Sequence, residues 1–556
     1  MAHQWIRANL ASAIFPFETD LAGRSVIIPG ADQNYNYLEQ IGEPIKDRGI
    51  PQAFYMHNVL PTPQGYQSVG YTSLIPGIVG GANDFDTIIP LDYINPQVAR
   101  FLLAPAAGKN YVHDSFTGGW VSVSPVATGT LNENVLVTSG YVNGVTYFMY
   151  ANYGIFTYTP ASPGPAAMVA VTPTALTIAN TLGIVAALGY LIAYDENGNF
   201  AWTLNPNDFT PSLITGAGGG QVQYCQGKVK FAVPISGGFM IYCERNVVSA
   251  QYTGNINFPW SFKEVRGSGG VSQIEDVTFQ SNSGFHYAWT TAGLQQLTVD
   301  VAASVFPEVT GFVAGLTFED FDEGTLTFTQ TFLSTPLFTE LAFIANRWFV
   351  LSYGQSNDNY THALVFDDML KRWGKLKLNH RRCFEWTAPN LYGSAITYGS
   401  FSTANPVVSY GDLWNTTYGQ LTSEVNIAED AEKNLGFLQA DGTVVIVNFD
   451  LSEQTADGVL LLGKFELQRN KFMIHQRTDV NNVEIGNKFD FYIVPTYDGQ
   501  NFQTPVKISA SPNVIVAGPK LWRMAGEVTG QNISLLAIGA FHMVSIQSDW
   551  VVGGDL

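Results

Sequence analysis

Charged side chains are scarce in this chain: Asp, Glu, Lys and Arg make up 13% of its 556 residues, about half of the roughly 25% usual in soluble domains. Hydrophobic residues stand at 46%, so a disordered polymer, which needs low hydrophobicity and high charge, is excluded. Asn, Gln, Ser, Thr and Tyr must supply most of the polar surface, which suits an assembly component whose faces are covered by other subunits. Basic residues are scarcer than acidic ones. With 27 Lys plus Arg against 46 Asp plus Glu, the formal net charge is -19 and the pI about 4.7. That balance argues against a simple nucleic-acid binder, because phosphate binding needs a basic footprint.

Cysteine is nearly absent. Cys225, Cys243 and Cys383 are too few, and odd in number, for a disulfide framework; a reducing cell interior at the time of folding fits them. The N-terminal stretch holds one Arg, Arg7, and no continuous apolar run before Phe15-Pro16-Phe17, so no signal peptide is expected there. There is no HExxH, no paired CxxC, no GxxxxGK[ST] and no GxSxG, the spacings that carry zinc, phosphate or acyl chemistry. The eight His are scattered, with no pair at i, i+4, and neither a metal nor a cofactor is expected.

What the chain has instead is short β-rich runs bounded by Gly, Asn, Asp and Pro, with little sustained 3.6-residue periodicity, so the expected class is all-β. Asn143-Gly144, Asn197-Gly198, Asp441-Gly442 and Asp498-Gly499 each lie between apolar or aromatic runs, where residues tolerant of positive φ let a two-residue turn match strand twist. Strand pairs recur irregularly, at Lys228–Val233 with Gly238–Tyr242, Phe285–Trp289 with Gly293–Val299, and Arg347–Tyr353 with His362–Phe366. Such pairs at roughly 40 to 60 residue spacing are expected of a divergent β-propeller, in which each blade buries its faces against its neighbours. The expected organisation is a β-rich platform domain formed by the N-terminal part, 1–80, and the C-terminal part, 460–556, with the propeller and its loop insertions at 81–459.

No charged residue occurs in 134–194, and its end, Thr174 to Tyr194, is strongly apolar. A membrane span needs about 20 predominantly apolar residues, but Pro173, Thr177, Asn180, Gly183 and Gly189 interrupt this stretch and no basic flank anchors it,. Buried strands with a Pro/Gly/Ala loop at 159–167 are expected; a loop that plugs a lumen or touches a membrane is the alternative.

Two charged clusters are candidate sites. Lys371, Arg372, Lys375, Lys377, Arg381 and Arg382 gather six basic residues within twelve positions. The alternation Lys375-Leu376-Lys377-Leu378 reads first as a solvated strand face, then as a partner-docking surface, and last as a DNA phosphate contact. Glu319, Asp320, Asp322 and Glu323 form an acidic loop. It reads first as a solvated or lumen-side loop; a carboxylate pair for glycoside hydrolysis would need separations of roughly 5 to 9 Å and one raised pKa. Asp195-Glu196-Asn197-Gly198 looks like a polar turn more than a calcium loop, and Gly267-Ser268-Gly269-Gly270 like an inter-blade turn followed by a strand over 271–279 more than a phosphate cradle.

Several segments together resemble the tail nozzle, or tail hub, proteins of short-tailed bacteriophages. Met56–Leu60, Gly65-Tyr66 and Ser73–Ile78 look like the opening of that family. Ile241–Gly254, Phe258–Phe262, Gly267–Val271, Trp289–Leu294 and Val305–Glu308 follow its central order. Asp367–Lys377, with Arg372-Trp373-Gly374-Lys375, resembles a blade end, and Gly463–Phe465, Tyr497–Gly499, Gly539–Phe541 and Gly553 its closing β region. The resemblance implies a non-enzymatic structural protein of the virion tail, assembled in the host cytoplasm. It would be a homohexamer at the end of the DNA-ejection channel, below the portal and the tail adaptor ring, with tail fibres or spikes as further partners and the host envelope within reach. Genomic double-stranded DNA would be retained and then released through the bore without specific binding. An acidic wall fits this role, since carboxylates repel phosphate within a Debye length of about 8 Å. The alternative is a carbohydrate-active or glycan-binding propeller of a phage tail, although Ser281–Trp289 lacks the Ser-x-Asp-x-Gly-x-x-Trp spacing of an Asp-box.

Overall fold

Short β-rich runs punctuated by glycine and asparagine fold here into antiparallel meanders. The structure, a computed structural model, describes residues 3–9, 38–40, 53–77, 85–90, 101–105, 110–114, 119–123, 136–151, 153–158, 168–278, 284–306, 309, 316–332, 338–354, 359–387, 433–451, 457–466, 471–481, 484–496, 503–508, 521–524, 529–530, 532–543 and 545–555. They fall into two compact units, one of 73–303 and 380–446, the other of 1–72, 304–379 and 447–556.

The first of these units is a β-propeller. Four blades are four-stranded meanders in chain order: Phe85–Pro90, Phe101–Pro105, Tyr111–Asp114 and Gly119–Ser122; Val137–Val142, Val145–Tyr150, Gly154–Tyr158 and Val169–Val171; Gly183–Ala187, Tyr190–Tyr194, Asn199–Thr203 and Gly218–Gln221; Val229–Ile235, Gly238–Cys243, Val247–Tyr252 and Trp260–Glu264. A three-stranded sheet follows, His286–Thr290, Gly293–Leu297 and Ala302–Ser304. A fifth four-stranded blade closes the ring: Arg382–Thr387, Lys433–Leu438 and Val444–Asn448 are joined by Gly70–Ile75, a strand that precedes the first blade in sequence. A blade assembled from both ends of a ring fastens that ring without a covalent link.

Each interface between successive blades is built from apolar side chains and a few placed hydrogen bonds. Asn110 Oδ1 accepts the Tyr150 hydroxyl at 2.6 Å between the first and second blades, and Thr138 Oγ1 accepts the Ile184 N–H at 2.8 Å between the second and third. Tyr190, Ile192, Tyr194 and Phe200 of the third blade share a core with Phe239, Ile241, Val248 and Trp260 of the fourth. At the closure, Ile75, Phe85, Phe384, Trp386 and Leu438 pack together, and Trp120 Nε1–H donates to the Gly442 carbonyl at 2.9 Å. Blades are covered on both faces, so their second strands show no alternation: Tyr190–Tyr194 and Gly238–Cys243 are buried throughout. That is why Thr174 to Tyr194 is apolar. It forms a 3-10 turn at Ile178–Asn180 and two inner strands of the third blade; among the described residues no helix is long and apolar enough to cross a membrane.

Turns follow the local chemistry with one adjustment. Asn143 and Gly144 take φ of 52° and 82° and make the expected two-residue hairpin. Asn197-Gly198 and Asp441-Gly442 sit instead in four-residue turns in which only the glycine has positive φ, 80° and 85°. There the acid side chain supplies the extra bonds: Asp195 Oδ1 accepts the Asn197 and Asn199 N–H groups, both at 2.9 Å, and Asp441 Oδ1 accepts that of Thr443 at 2.9 Å. Asp498-Gly499 and the 159–167 loop lie outside the described residues.

The second unit joins the chain ends to a middle segment. His3–Asn9 pairs with Ser545–Asp555, which also pairs with Lys471–Asn481. A larger sheet runs Phe338–Ile344, Trp348–Gly354, Tyr360–Asp367, Arg372–His380, Val59–Pro61, Tyr66–Ser68, Asn532–Met543, Gly458–Glu466 and Ala53–His57, with Glu484–Thr496 also on Asn532–Met543. This corrects the expected place of 304–379. The strand pair at Trp348–Gly354 and Tyr360–Asp367 forms where expected, but it and the Arg372-Trp373-Gly374 segment are not a blade, because Lys375 is in register with Val59 and the run continues the sheet of the chain ends.

Candidate functional site

The basic segment divides between the two units and is largely inside them. Arg372 and Lys375 are 4% and 1% exposed, which corrects the solvated face expected from the Lys375/Lys377 alternation. In a sheet covered on both sides the lysine-bearing face meets protein, and the cation is then held by aromatic rings and carbonyls. Lys375 Nζ lies 5.5 Å from the Tyr55 ring centroid and 5.8 Å from that of Tyr353. The Arg372 guanidinium lies 5.7 Å from the Tyr66 ring and donates to the Gly65 carbonyl at 3.2 Å and to the Thr62 carbonyl. Lys377 is half-buried, its N–H donating to Asn58 Oδ1 at 3.0 Å. Lys371 remains exposed, paired with Asp368 at 2.6 Å. In the propeller, Arg381 is 5% exposed and its N–H donates to the Leu438 carbonyl at 2.7 Å, while Arg382 reaches Glu275 at 2.7 Å, tying the 3-10 turn at Ile274–Asp276, which precedes the three-stranded sheet, to the closing blade.

The acidic residues lie on and beside one hairpin, Leu316–Asp322 with Thr327–Phe332. Asp322 and Glu323 are exposed. Asp322 Oδ1 accepts the Gly324 N–H at 2.8 Å and the Thr325 N–H at 3.1 Å. These bonds, that of Thr325 first, hold its carboxyl below the usual carboxylate range, the direction opposite to the one a general acid requires. Asp322 therefore shapes the turn. Glu319 and Asp320 fall in the first strand of the hairpin. Among the described residues no three His, Cys, Asp or Glu converge as a metal set.

The Gly267–Gly270 loop is a packing device. A Cβ on Gly270 would lie 1.9 Å from the Glu244 carbonyl oxygen, and one on Gly269 2.8 Å from Thr290 Oγ1, so the glycines let one blade turn abut the next. The strand expected over 271–279 does not form among the described residues 271–278: a 3-10 turn occupies Ile274–Asp276 and only Val277 makes an isolated bridge, to Ala288.

A feature the sequence reading missed is the contrast between the two ends of the third and fourth blades. In a meander the first and third connections share one end and the second connection lies at the other. At the second-connection end stand Glu196, paired with Lys228 at 2.9 Å, and Glu244, paired with Lys230 at 3.1 Å. The opposite end presents Leu213 and Ile214, 73% and 91% exposed, and Phe258, 72% exposed. Residues 211–220 and 253–259 carry no charge, and the two loops touch, since a Cβ on Gly216 would lie 2.6 Å from Ile256 Cγ1. Both are braced from within. Ser212 pairs with Ala217 across a tight turn, and Asn255 Oδ1 accepts the Asn257 N–H at 3.0 Å, so the apolar tips are held outward. The only sequence signal was a pair of large apolar residues between turn formers.

No family model and no curated protein matches the chain. Among solved structures it is similar to YCF48 from Cyanidioschyzon merolae, at 10% identity over 68% of this chain and 98% of that one, with a TM-score of 0.38. It is also similar to the WD40 propeller domain of Doa1, at 11% identity over 69% and 99% with a TM-score of 0.35. BamB from Moraxella catarrhalis matches at 10% identity over 72% and 100% with a TM-score of 0.31. The propeller assignment rests on the blades described above.

Proposed function

We propose that the chain is a structural virion protein, a homohexameric tail nozzle at the end of the DNA-ejection channel below the portal and adaptor. One observation carries the reading: both chain ends, together with 304–379, build one unit while 73–303 and 380–446 build a propeller, and a platform made from both chain ends beside a propeller is what resemblance to the nozzle family implies. The segments Ile241–Gly254 and Phe258–Phe262 lie on the fourth blade. The braced apolar tips at Leu213-Ile214 and Phe258 supply surface of the kind that assembly covers, and the net charge of -19 suits a conduit that a polyanion passes without binding. The tail adaptor, fibres or spikes, and the host envelope are the partners of this reading; it needs no cofactor and no catalytic residue.

End-on class averages of the purified full chain, alone and mixed with its adaptor, test it. A six-fold ring with a hole wide enough for a DNA duplex is expected; a chain that stays monomeric with the adaptor overturns the proposal. Reducing-end release from host surface polysaccharide by the purified chain would favour the glycan-active reading instead.

A further inference from the structure

Two of the three cysteines meet in the propeller. Cys243 is buried at the end of the second strand of the fourth blade, and Cys225 is half-buried in the segment that leads from the third blade to the fourth. Cys243 belongs to the core shared by those blades and Cys225 packs against it, and each thiol shifts the other, Cys243 lowering Cys225 and Cys225 raising Cys243. The contact is framed by Asn246. Its Nδ2 donates to the Tyr224 carbonyl at 2.9 Å and its Oδ1 accepts the Gln226 N–H at 3.0 Å, so it grips both neighbours of Cys225. Its own carbonyl accepts the Cys243 N–H at 3.0 Å. Nothing in the propeller's architecture requires two thiols at this place, and the 17 intervening residues carry no spacing that announces them.

We propose that Cys225 and Cys243 are a dithiol site that closes to a disulfide on meeting an oxidised low-molecular-weight disulfide, fastening the inter-blade segment to the fourth blade. The Cys225 thiolate attacks one sulfur of the small disulfide and expels one small thiolate, leaving a mixed disulfide. Cys243 gives its proton to solvent, attacks Cys225 Sγ and expels the second small thiolate. One S–S bond is consumed and one is formed; the protein loses two electrons and two protons, and the small disulfide becomes two thiols. The order of attack follows from the site. Cys225 is the accessible partner, and the contact with Cys243 lowers its thiol while burial opposes, which favours the attacking form. Cys243 is raised first by Cys225 and then by burial, and conversion of Cys225 to a mixed disulfide removes the first of these causes.

The test uses the full chain, purified under reductant and then moved into oxidised glutathione, with free thiols alkylated and peptides mapped without reduction. The expected product is a monomer lighter by two hydrogens, with Cys225 and Cys243 in one linked peptide pair, Cys383 alkylated, and the bond reversed by dithiothreitol. Its melting midpoint should lie above that of the reduced chain, and Cys225→Ser should abolish that rise. Glutathione retained on Cys225, both thiols still alkylated, or Cys225 linking two chains would each overturn the proposal.

Discussion

His286 is wholly buried between the fourth blade and the sheet that follows it, and its partners fix its tautomer. The Pro234 carbonyl at 3.0 Å can only accept, so Nε2 carries the hydrogen, and Nδ1 accepts the Tyr242 hydroxyl at 2.7 Å. Burial, partly offset by the Pro234 bond, pulls its pKa from 6.5 down to about 4. Because the unfolded chain binds the proton first, stability is complete above pH 6.5 and falls as pH drops toward 4, by roughly 3 kcal/mol from this group. Urea titrations between pH 7 and pH 4 should show that loss, and His286→Gln should flatten the slope; an unchanged slope would refute the assignment. Leu188 is a second instance of strain at one residue. It is exposed and sits at φ 49° beside Gly189 at 81°, a left-handed turn position that asparagine tolerates better than leucine. Leu188→Asn is expected to raise stability by about 1 kcal/mol, read from the denaturant midpoint. Neither environment was legible from the sequence, because a histidine and a leucine signal nothing until a neighbouring strand supplies the ceiling or the turn.

At the level of the element, the hairpin of Trp348–Gly354 and Tyr360–Asp367 ends in an ion pair with a structural task. The Asp367 carboxylate is fully buried and accepts Arg347 Nε at 2.9 Å and Nη2 at 2.6 Å on one oxygen, and the Met369 and Leu370 N–H groups at 2.9 and 3.0 Å on the other. Asp367→Ala leaves a guanidinium and two turn amides unpaired and should cost about 3 to 5 kcal/mol, measured by equilibrium unfolding; a cost under about 1 kcal/mol would show that solvent replaces the carboxylate. Glycines give a matched contrast. Gly270→Ala would drive a Cβ to 1.9 Å from a backbone oxygen, whereas a Cβ on Gly220 has nothing within 4 Å. The first substitution should destabilise by more than about 3 kcal/mol and the second by less than about 0.5 kcal/mol, compared as soluble yield and melting midpoint. The hairpin was legible because alternation and turn chemistry are local. The sheet it joins was not, since the register of Lys375 with Val59 spans most of the chain.

For the whole molecule, the division into two units has a thermodynamic consequence. Each has its own core, so unfolding is expected in two transitions. Calorimetry should show Asp367→Ala moving one and Gly220→Ala neither, with Gly270→Ala, where it remains soluble, moving the other. A single transition shifted alike by Asp367→Ala and Gly270→Ala would mean that the units fold as one. The pairing of His3–Asn9 with Ser545–Asp555 makes the chain ends one structural piece, an arrangement absent from any local pattern.

Residue chemistry alone determined that this chain is all-β, that it turns at Asn143-Gly144, Asn197-Gly198 and Asp441-Gly442, and that 174–194 holds buried strands, because strand propensity, turn geometry and apolar runs act over a few neighbours. Only the tertiary structure decided that Lys375 and Arg372 are buried, that Asp322 shapes a turn, that Cys225 meets Cys243, and that 304–379 leaves the propeller for the sheet of the chain ends. Those outcomes depend on which distant strands share an edge, and burial, desolvation and pairing are properties of that encounter.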